Sequence, residues 1–292
     1  MEQMSFTPTS NIANKVRNTR LPRTKPLMPL FEIISNSIHS IEEAKHKGII
    51  KEGDGKIIIK CVRNGAEDIL EKLSNVDSYP IHSFVVSDNG IGLNDENLKA
   101  FIEADTDHKI EIGGKGVGRF VCLKAFRELN ITSFYIENET SNSIQFNFKA
   151  TKEGFHDFSN PSVNGVKHGT SIVLNNIKQE YQRALPFGLS AIAREIVAHF
   201  QLYFITNTAP HIVIRNQNND QVDLRVLFKT EFKSDVKSGS FLIDEQNFTL
   251  YLTKSSEFQS HKIHFCAHNR SVITEGRIRP MDYVFDLSII CL

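Results

Sequence analysis

Between Phe31 and Ala44 the chain reads FEIISNSIHSIEEA. Wound at 3.6 residues per turn, this stretch puts Phe31, Ile34, Ile38 and Ile41 on one face and Glu32, Asn36, His39 and Glu43 on the other. The spacing predicts a helix with an apolar face for the core and a polar face offering a carboxylate and an amide. Alone, such a stripe reads first as the solvated side of an ordinary surface helix. The period then changes. KIIIKCV, from Lys56 to Val62, and HSFVVS, from His82 to Ser87, are β-branched runs bounded by turn residues and are predicted strands. The second runs into Asp88-Asn89-Gly90-Ile91-Gly92-Leu93, where Asn-Gly after a strand is also a common turn signal.

A helix capped by Asn94 or Asp95, with Leu98, Phe101 and Ile102 inside, is expected next. A polar loop then leads to Gly113-Gly114-Lys115-Gly116-Val117-Gly118-Arg119-Phe120, after which VCLKAFREL resumes a helical period with Phe120, Leu123 and Phe126 in register. Glycines at a helix amino terminus let an anion approach unpaired N–H groups at the positive end of the dipole, and Lys115 and Arg119 add charge. The run matches neither G-x-x-x-x-G-K-[ST] nor a dinucleotide fingerprint, so a phosphate cradle and a surface loop both remain open on spacing alone.

ITSFYIE from Ile131, NSIQFNFKA from Asn142 and TSIVL from Thr170 are predicted antiparallel strands, and a helix is expected over Leu189 to Phe204. From His211 the pattern becomes one of short strands, HIVIR, VDLRVLF, SFLID, NFTLYLT and KIHFCA, with turns at Asn218-Asn219-Asp220 and Asp244 to Asn247. A domain boundary is expected near Thr206 to Pro210. Ahead of everything, Asn11 to Lys25 carries Lys15, Arg17, Arg20, Arg23 and Lys25 with no acidic residue. Running into Pro22, Pro26 and Pro29, it reads as an extended basic arm, either a solvated leader or a docking element for a partner subunit or polyanion.

The 292 residues have 40% hydrophobic and 23% charged side chains, the balance of a soluble globular protein, and no apolar run approaches a membrane span. Lys plus Arg equals Asp plus Glu at 34 each, so any contact with nucleic acid has to be local. Cys61, Cys122, Cys266 and Cys291 are scattered and read as reduced thiols, and MEQMSFTPTS lacks a secretory pattern, so a cytoplasmic protein is expected. His156, His168, His199, His261 and His264 show no metal-cage spacing, and no nucleophile with a neighbouring base stands out.

The order of parts carries more than any one part: Glu-x-x-x-Asn on a helix, Asp-x-Gly-x-Gly after a strand, a glycine-rich helix start, then Gly169-Thr170 opening a strand. That order resembles the GHKL ATPases, the family of DNA gyrase, heat-shock-90 type chaperones, sensor histidine kinases and MutL, over roughly the first two-thirds of the chain. The resemblance implies an α+β fold of Bergerat type, an α/β sandwich with helices on one face of a mostly antiparallel sheet. A smaller transducer-like α/β domain would follow. The expected division is an amino-terminal arm over 1–28, an ATP-binding domain over 29–208 and the second domain over 209–292.

Carried over by position, the resemblance makes Glu32 the general base that polarises the attacking water and Asn36 the amide that binds Mg2+. Asp88 would read adenine, because a carboxylate accepts from an exocyclic amine and guanine offers none there. Gly90 and Gly92 would let the chain pass beneath the base, Thr170 would support the same recognition, and Gly114, Gly116 and Gly118 would form the phosphate lid, with Lys115, Val117 and Arg119 among the nucleotide-binding residues. Ser35 stands where several members have Asp, and His39-Ser40 where Asp-Ala is common, which argues against close kinship with gyrase and MutL. Asn269-Arg270 resembles a segment of the MutL and MORC-type second domain, where a basic residue reaches the terminal phosphate. The apolar run YVFDLSIICL at the end leaves open a fragment or a transducer short of its remainder.

The implied activity is Mg-dependent ATP hydrolysis driving lid closure and an ATP-dependent homodimer, with DNA or a protein client as partner and no membrane contact. The alternative is a nucleotide-binding regulatory or chaperone-like module with little or no turnover. Phosphotransfer to histidine is disfavoured by Glu32, which histidine kinase domains usually lack.

Overall fold

The computed structural model describes residues 11–63, 79–102, 118–232, 236–243, 245–252, 263–267, 269–275 and 288–291. The helix predicted around Phe31–Ala44 forms as α2, Met28–His46, with Pro29 in its first turn, where a missing N–H costs nothing. Isoleucine is an indifferent helix former, so burial rather than propensity holds this helix. Leu30, Ile34, Ile38 and Ile41 are each at most 1% exposed, a contribution on the order of 2 kcal/mol per side chain. The buried arc is wider than the predicted face and takes in Ile33, Ser35 and Ser37. Asn36 is exposed, and Glu32, His39 and Glu43 are half-buried.

An eight-stranded sheet lies under this helix. In chain order its strands are β1 (Lys56–Arg63), β2 (Ile81–Asp88), β3 (Phe126–Glu137), β4 (Thr140–Lys149), β5 (Phe155–Ser159), β6 (Gly169–Ile177), β7 (His211–Arg215) and β8 (Gln221–Asp223). The spatial order is β5-β4-β3-β6-β2-β1-β7-β8, and every pair is antiparallel except β1 with β7. The α+β class and the mostly antiparallel sheet expected above are therefore those of the protein. In β1, Ile57, Ile59 and Cys61 are buried while Ile58, Lys60 and Val62 are only half so, the mark of a sheet with one covered face. Helix α2 lies against β1, β2 and β6, and packs on α4, Gly118–Ala125.

Several elements differ from the sequence reading, each for a local reason. Residues 11–25 are not an extended arm: Ile12–Asn18 forms helix α1, capped by the Asn11 side chain and seated by buried Ile12 and Val16. The period read through Phe126 breaks at Ala125, where Phe126 pairs with Ile177 and starts β3. Lys178 Nζ caps the end of α4 by donating to the carbonyls of Leu123 and Lys124. Helix α3, Asp95–Ile102, starts where expected, Asn94 Oδ1 accepting from the Asn97 N–H, but Ile102 is exposed rather than inside. The single helix expected over Leu189 to Phe204 is two, α6 (Leu189–His199) and α7 (Gln201–Ile205), broken at the buried Phe200. VDLRVLF is a strand only to Asp223; the Asp223 carboxylate then accepts from the N–H groups of Arg225 and Val226 and caps helix α8, Leu224–Leu227. A short helix, Gln179–Gln182, is α5.

The strands His211–Arg215 and Gln221–Asp223, grouped by sequence with those after them, complete the first sheet. Ile212 pairs with Ile57 and Ile214 with Ile59, and all four are buried, so the apolar set of HIVIR finds its match at the edge of β1. The later strands are β9 (Lys237–Ile243), β10 (Gln246–Leu252), β11 (Ile263–Ala267), β12 (Arg270–Glu275) and β13 (Ser288–Cys291). They form a separate five-stranded sheet in the order β12-β11-β13-β10-β9. It meets the first part of the protein where β12 lies against α6 and α7, and where Cys266 packs on Leu202.

Candidate functional site

The last residue of β2, Asp88, is where the sheet meets α2. Its Oδ2 accepts from Ser37 Oγ of α2 at 2.7 Å, and its Oδ1 accepts from the N–H groups of Gly90 at 2.9 Å and Thr170 at 3.2 Å. Burial pushes its carboxyl up to about 6, against the downward pull of those three hydrogen bonds and of His168. A carboxylate that stays so perturbed despite three donors is the kind of group that marks functional sites.

Two glycines make that approach possible. A Cβ on Gly90 would collide with the side chain and main chain of Ser40, whose carbonyl also accepts from the Ile91 N–H at 3.0 Å. Gly169 has a φ of +113°, and a Cβ there would run into the Asp88 carbonyl. Gly92 sits one step further on, against the Phe134 carbonyl. Thr170, beside Gly169, holds its Oγ1 at 2.9 Å from Ser133 Oγ, and Ser133 Oγ accepts from the Leu93 N–H at 2.8 Å. His168 Nδ1 lies 3.0 Å from the Gly90 carbonyl. The turn after β2 is thus fastened to α2, β3 and β6 at once.

Glu32 lies five residues before Ser37 on α2, about 7.5 Å along the axis. It faces the first residue of α4: a Cβ on Gly118 would stand 2.7 Å from Glu32 Oε2. Burial raises the Glu32 carboxyl above the usual range, and Arg270 at the start of β12 pulls it back. Arg270 Nη1 lies 3.9 Å from Glu32 Oε2, with both side chains partly shielded. Beneath them, burial pushes the Cys122 thiol well above its ordinary range, and the charge of Glu32 adds to this, so Cys122 is an inert neutral neighbour. His199 stacks on Phe31 at 4.2 Å and is pushed down to about 3 by burial first, with Arg270 and Lys25 adding; its ring is neutral.

Glu32, Asn36, Asp88, Gly90 and Gly118 are accordingly gathered on or beside α2, with Thr170 next to Asp88 and Gly92 against β3. Arg119 is not part of this group: it is buried, donates to the carbonyl of Phe101 at the end of α3, and lies over the rings of Phe101 and Phe120 at 5.5 and 5.0 Å. Gly114, Lys115, Gly116 and Val117 lie outside the described residues. Among the described residues no group of three or more His, Cys, Asp or Glu forms a metal cage. The only donor set for Mg2+ suggested by sequence is the exposed amide of Asn36, whose hard oxygen suits a cation that keeps most of its waters and takes the rest of its ligands from phosphate.

Sequence reasoning missed Ser37, Ser133 and His168. Ser37 falls between the two faces of α2, and only its contact with Asp88 distinguishes it from any other helix serine. Arg270 lay in a noted segment, but its proximity to Glu32 depends on how the second sheet docks. An open cavity of about 520 Å³ borders Asn89 and His168 but neither Glu32 nor Asn36, so it is a neighbour of this site rather than its floor. No helix among the described residues is long and apolar enough to cross a membrane. Comparison of the chain with models of known protein families and with curated proteins finds no match to either.

Proposed function

We propose that this site binds ATP and hydrolyses it, as a switch of the GHKL type. The observation that carries the reading is the placement of Asp88: a half-buried carboxylate fixed by Ser37, on the same helix that presents Glu32 and Asn36 one turn apart. In this reading the carboxylate of Asp88 accepts from the exocyclic amine of adenine. Thr170 and Ser133 surround that contact, and the strip of α2 from Ser37 back to Glu32 runs beside the sugar and phosphates. Bound Mg2+, held by Asn36 and phosphate oxygens, would spread the negative charge that builds during phosphoryl transfer.

Glu32 takes a proton from the attacking water and so needs to be ionised, which burial opposes and Arg270 favours. Gly118 keeps the start of α4 open beside it, and the amino terminus of that helix favours a phosphate. The reading further takes residues before Gly118 as a lid and the closed form as a homodimer. The client, DNA or protein, is not assigned by this site.

Phosphate release by purified protein at increasing concentration tests the proposal. Turnover that depends on Mg2+, rises with protein concentration and disappears in Glu32→Gln supports it. Tight ATP binding without phosphate release supports instead the module with little turnover. Absence of ATP binding refutes both.

A further inference from the structure

A second charged feature lies away from Asp88 and Glu32, on the side of the protein where α1 docks. The protein as a whole carries no net charge, yet Arg17, Arg20, Arg23, Arg127 and Arg183 are all exposed there. They come from three stretches that the fold fastens together. Lys124 Nζ, near the end of α4, donates to the carbonyls of Val16 and Arg17 at 3.4 and 2.8 Å, capping α1. Lys178 Nζ caps α4 in turn, and its N–H donates to the Ala125 carbonyl at 2.8 Å, beside the start of β3 that carries Arg127. Tyr181 of α5 donates its hydroxyl to the Leu21 carbonyl at 3.1 Å, which draws Arg20 and Arg23 toward Arg183.

The two lysines are committed to helix ends, where they neutralise the negative poles of α1 and α4. What projects beyond them is mostly arginine. Nearby acids are few: Glu128 is paired with Lys149 at 3.2 Å, and Glu180 faces Lys178. Burial pushes the Lys178 ammonium down; Glu180 opposes this, and the nearby positive charges of Lys124 and Arg127 add to it.

We propose that this arginine face binds the phosphate backbone of double-stranded nucleic acid without reading its sequence. Arginine forks match phosphate oxygens and are weakly hydrated, so they suit repeated phosphate contacts better than lysine does. Tyr181, at the centre of this face, is 4% exposed and bonded to Leu21, so its ring is not free to stack on an unpaired base. The regular, rigid array of phosphates on a duplex suits arginines held at fixed positions on three elements, so the duplex backbone is the partner proposed. This inference stands on its own observations and does not depend on ATP binding.

Anisotropy of a labelled 30-base-pair duplex with the full chain, titrated at several salt concentrations, is the test. If about four phosphates are neutralised, log K falls against log salt with a slope of about −4. Arg20→Glu with Arg23→Glu should weaken binding by more than about tenfold and bring the slope toward zero by about two. Arg127→Glu with Arg183→Glu, on separate elements, should do the same, and an unchanged melting curve for each pair shows that folding is intact. Equal affinity for both charge-reversed pairs and the parent overturns the proposal. So does an equal or greater affinity for a single strand of the same sequence, or for polyglutamate of matched charge, which would make the partner an acidic protein.

Discussion

Asp88→Asn should make the protein more stable and, if the site takes ATP as proposed, weaken that binding at the same time. In the folded protein the Asp88 carboxyl is pushed up to about 6 from an ordinary value of 3.8. A difference of about two units corresponds to about 3 kcal/mol. Because the folded value is the higher one, the folded state is favoured when the group is protonated. The penalty is absent below about pH 4, grows between pH 4 and 6, and is complete above pH 6.

The amide of Asp88→Asn keeps the geometry. Its oxygen can accept from Gly90 and Thr170 as Oδ1 does now, and its NH2 can donate to Ser37 Oγ. Urea denaturation of both proteins at pH 4, 6 and 8 isolates the effect, since all other titrating groups are shared. The expected result is a variant more stable by up to about 3 kcal/mol at pH 8, with the gap closing toward pH 4. Binding of a fluorescent ATP analogue should fall by on the order of a hundredfold, because a donor would then face the adenine amine. A variant no more stable than the parent at pH 8, or a gap independent of pH, refutes the account of Asp88 as a carboxylate whose ionisation is opposed by its surroundings.

Three further outcomes follow from the same geometry. Glu32→Gln should leave nucleotide affinity within a few-fold and cut phosphate release at least about a hundredfold in single-turnover assays. Arg270→Gln leaves the burial of Glu32 unopposed, so its carboxyl moves further up and the acid limb of the pH–rate profile moves to higher pH; kcat should suffer more at pH 6 than at pH 8, and Arg270→Lys should restore part of it. Gly90→Ala places a methyl against Ser40 and should cost about 1–3 kcal/mol in urea denaturation, with loss of nucleotide binding from the displaced turn.

The elements that define the site were legible because each depends on local chemistry. The period of Phe31 to Ala44, the β-branched runs ending at Ser87, the turn glycines and the Asn94 cap all act within a few residues, and all appear in the fold. The misread segments were those where a distant partner overrides the local signal. Residues 12–18 read as an arm because nothing nearby announces that Ile12 and Val16 will be covered. Phe126 fits a helical period, but pairing with Ile177 takes it into a strand. Asp223 was the exception, an N-cap signal present in the sequence and overlooked within an apolar run.

The same division runs through α2. Periodicity alone sets which residues of this helix are apolar and that Glu32 and Asn36 share its polar side, since both depend only on the 3.6-residue turn. It could not show that Ser37 would meet Asp88, 51 positions away, or that Arg270 would stand beside Glu32 from a different sheet. The glycine-rich motif likewise gave Arg119 the same rank as Gly118, although one is buried against the end of α3 and the other lies open to Glu32. Those assignments rest on which surfaces bury one another when sheet and helices close. A side chain's neighbours across the core are set by packing, and its spacing along the chain carries no record of them.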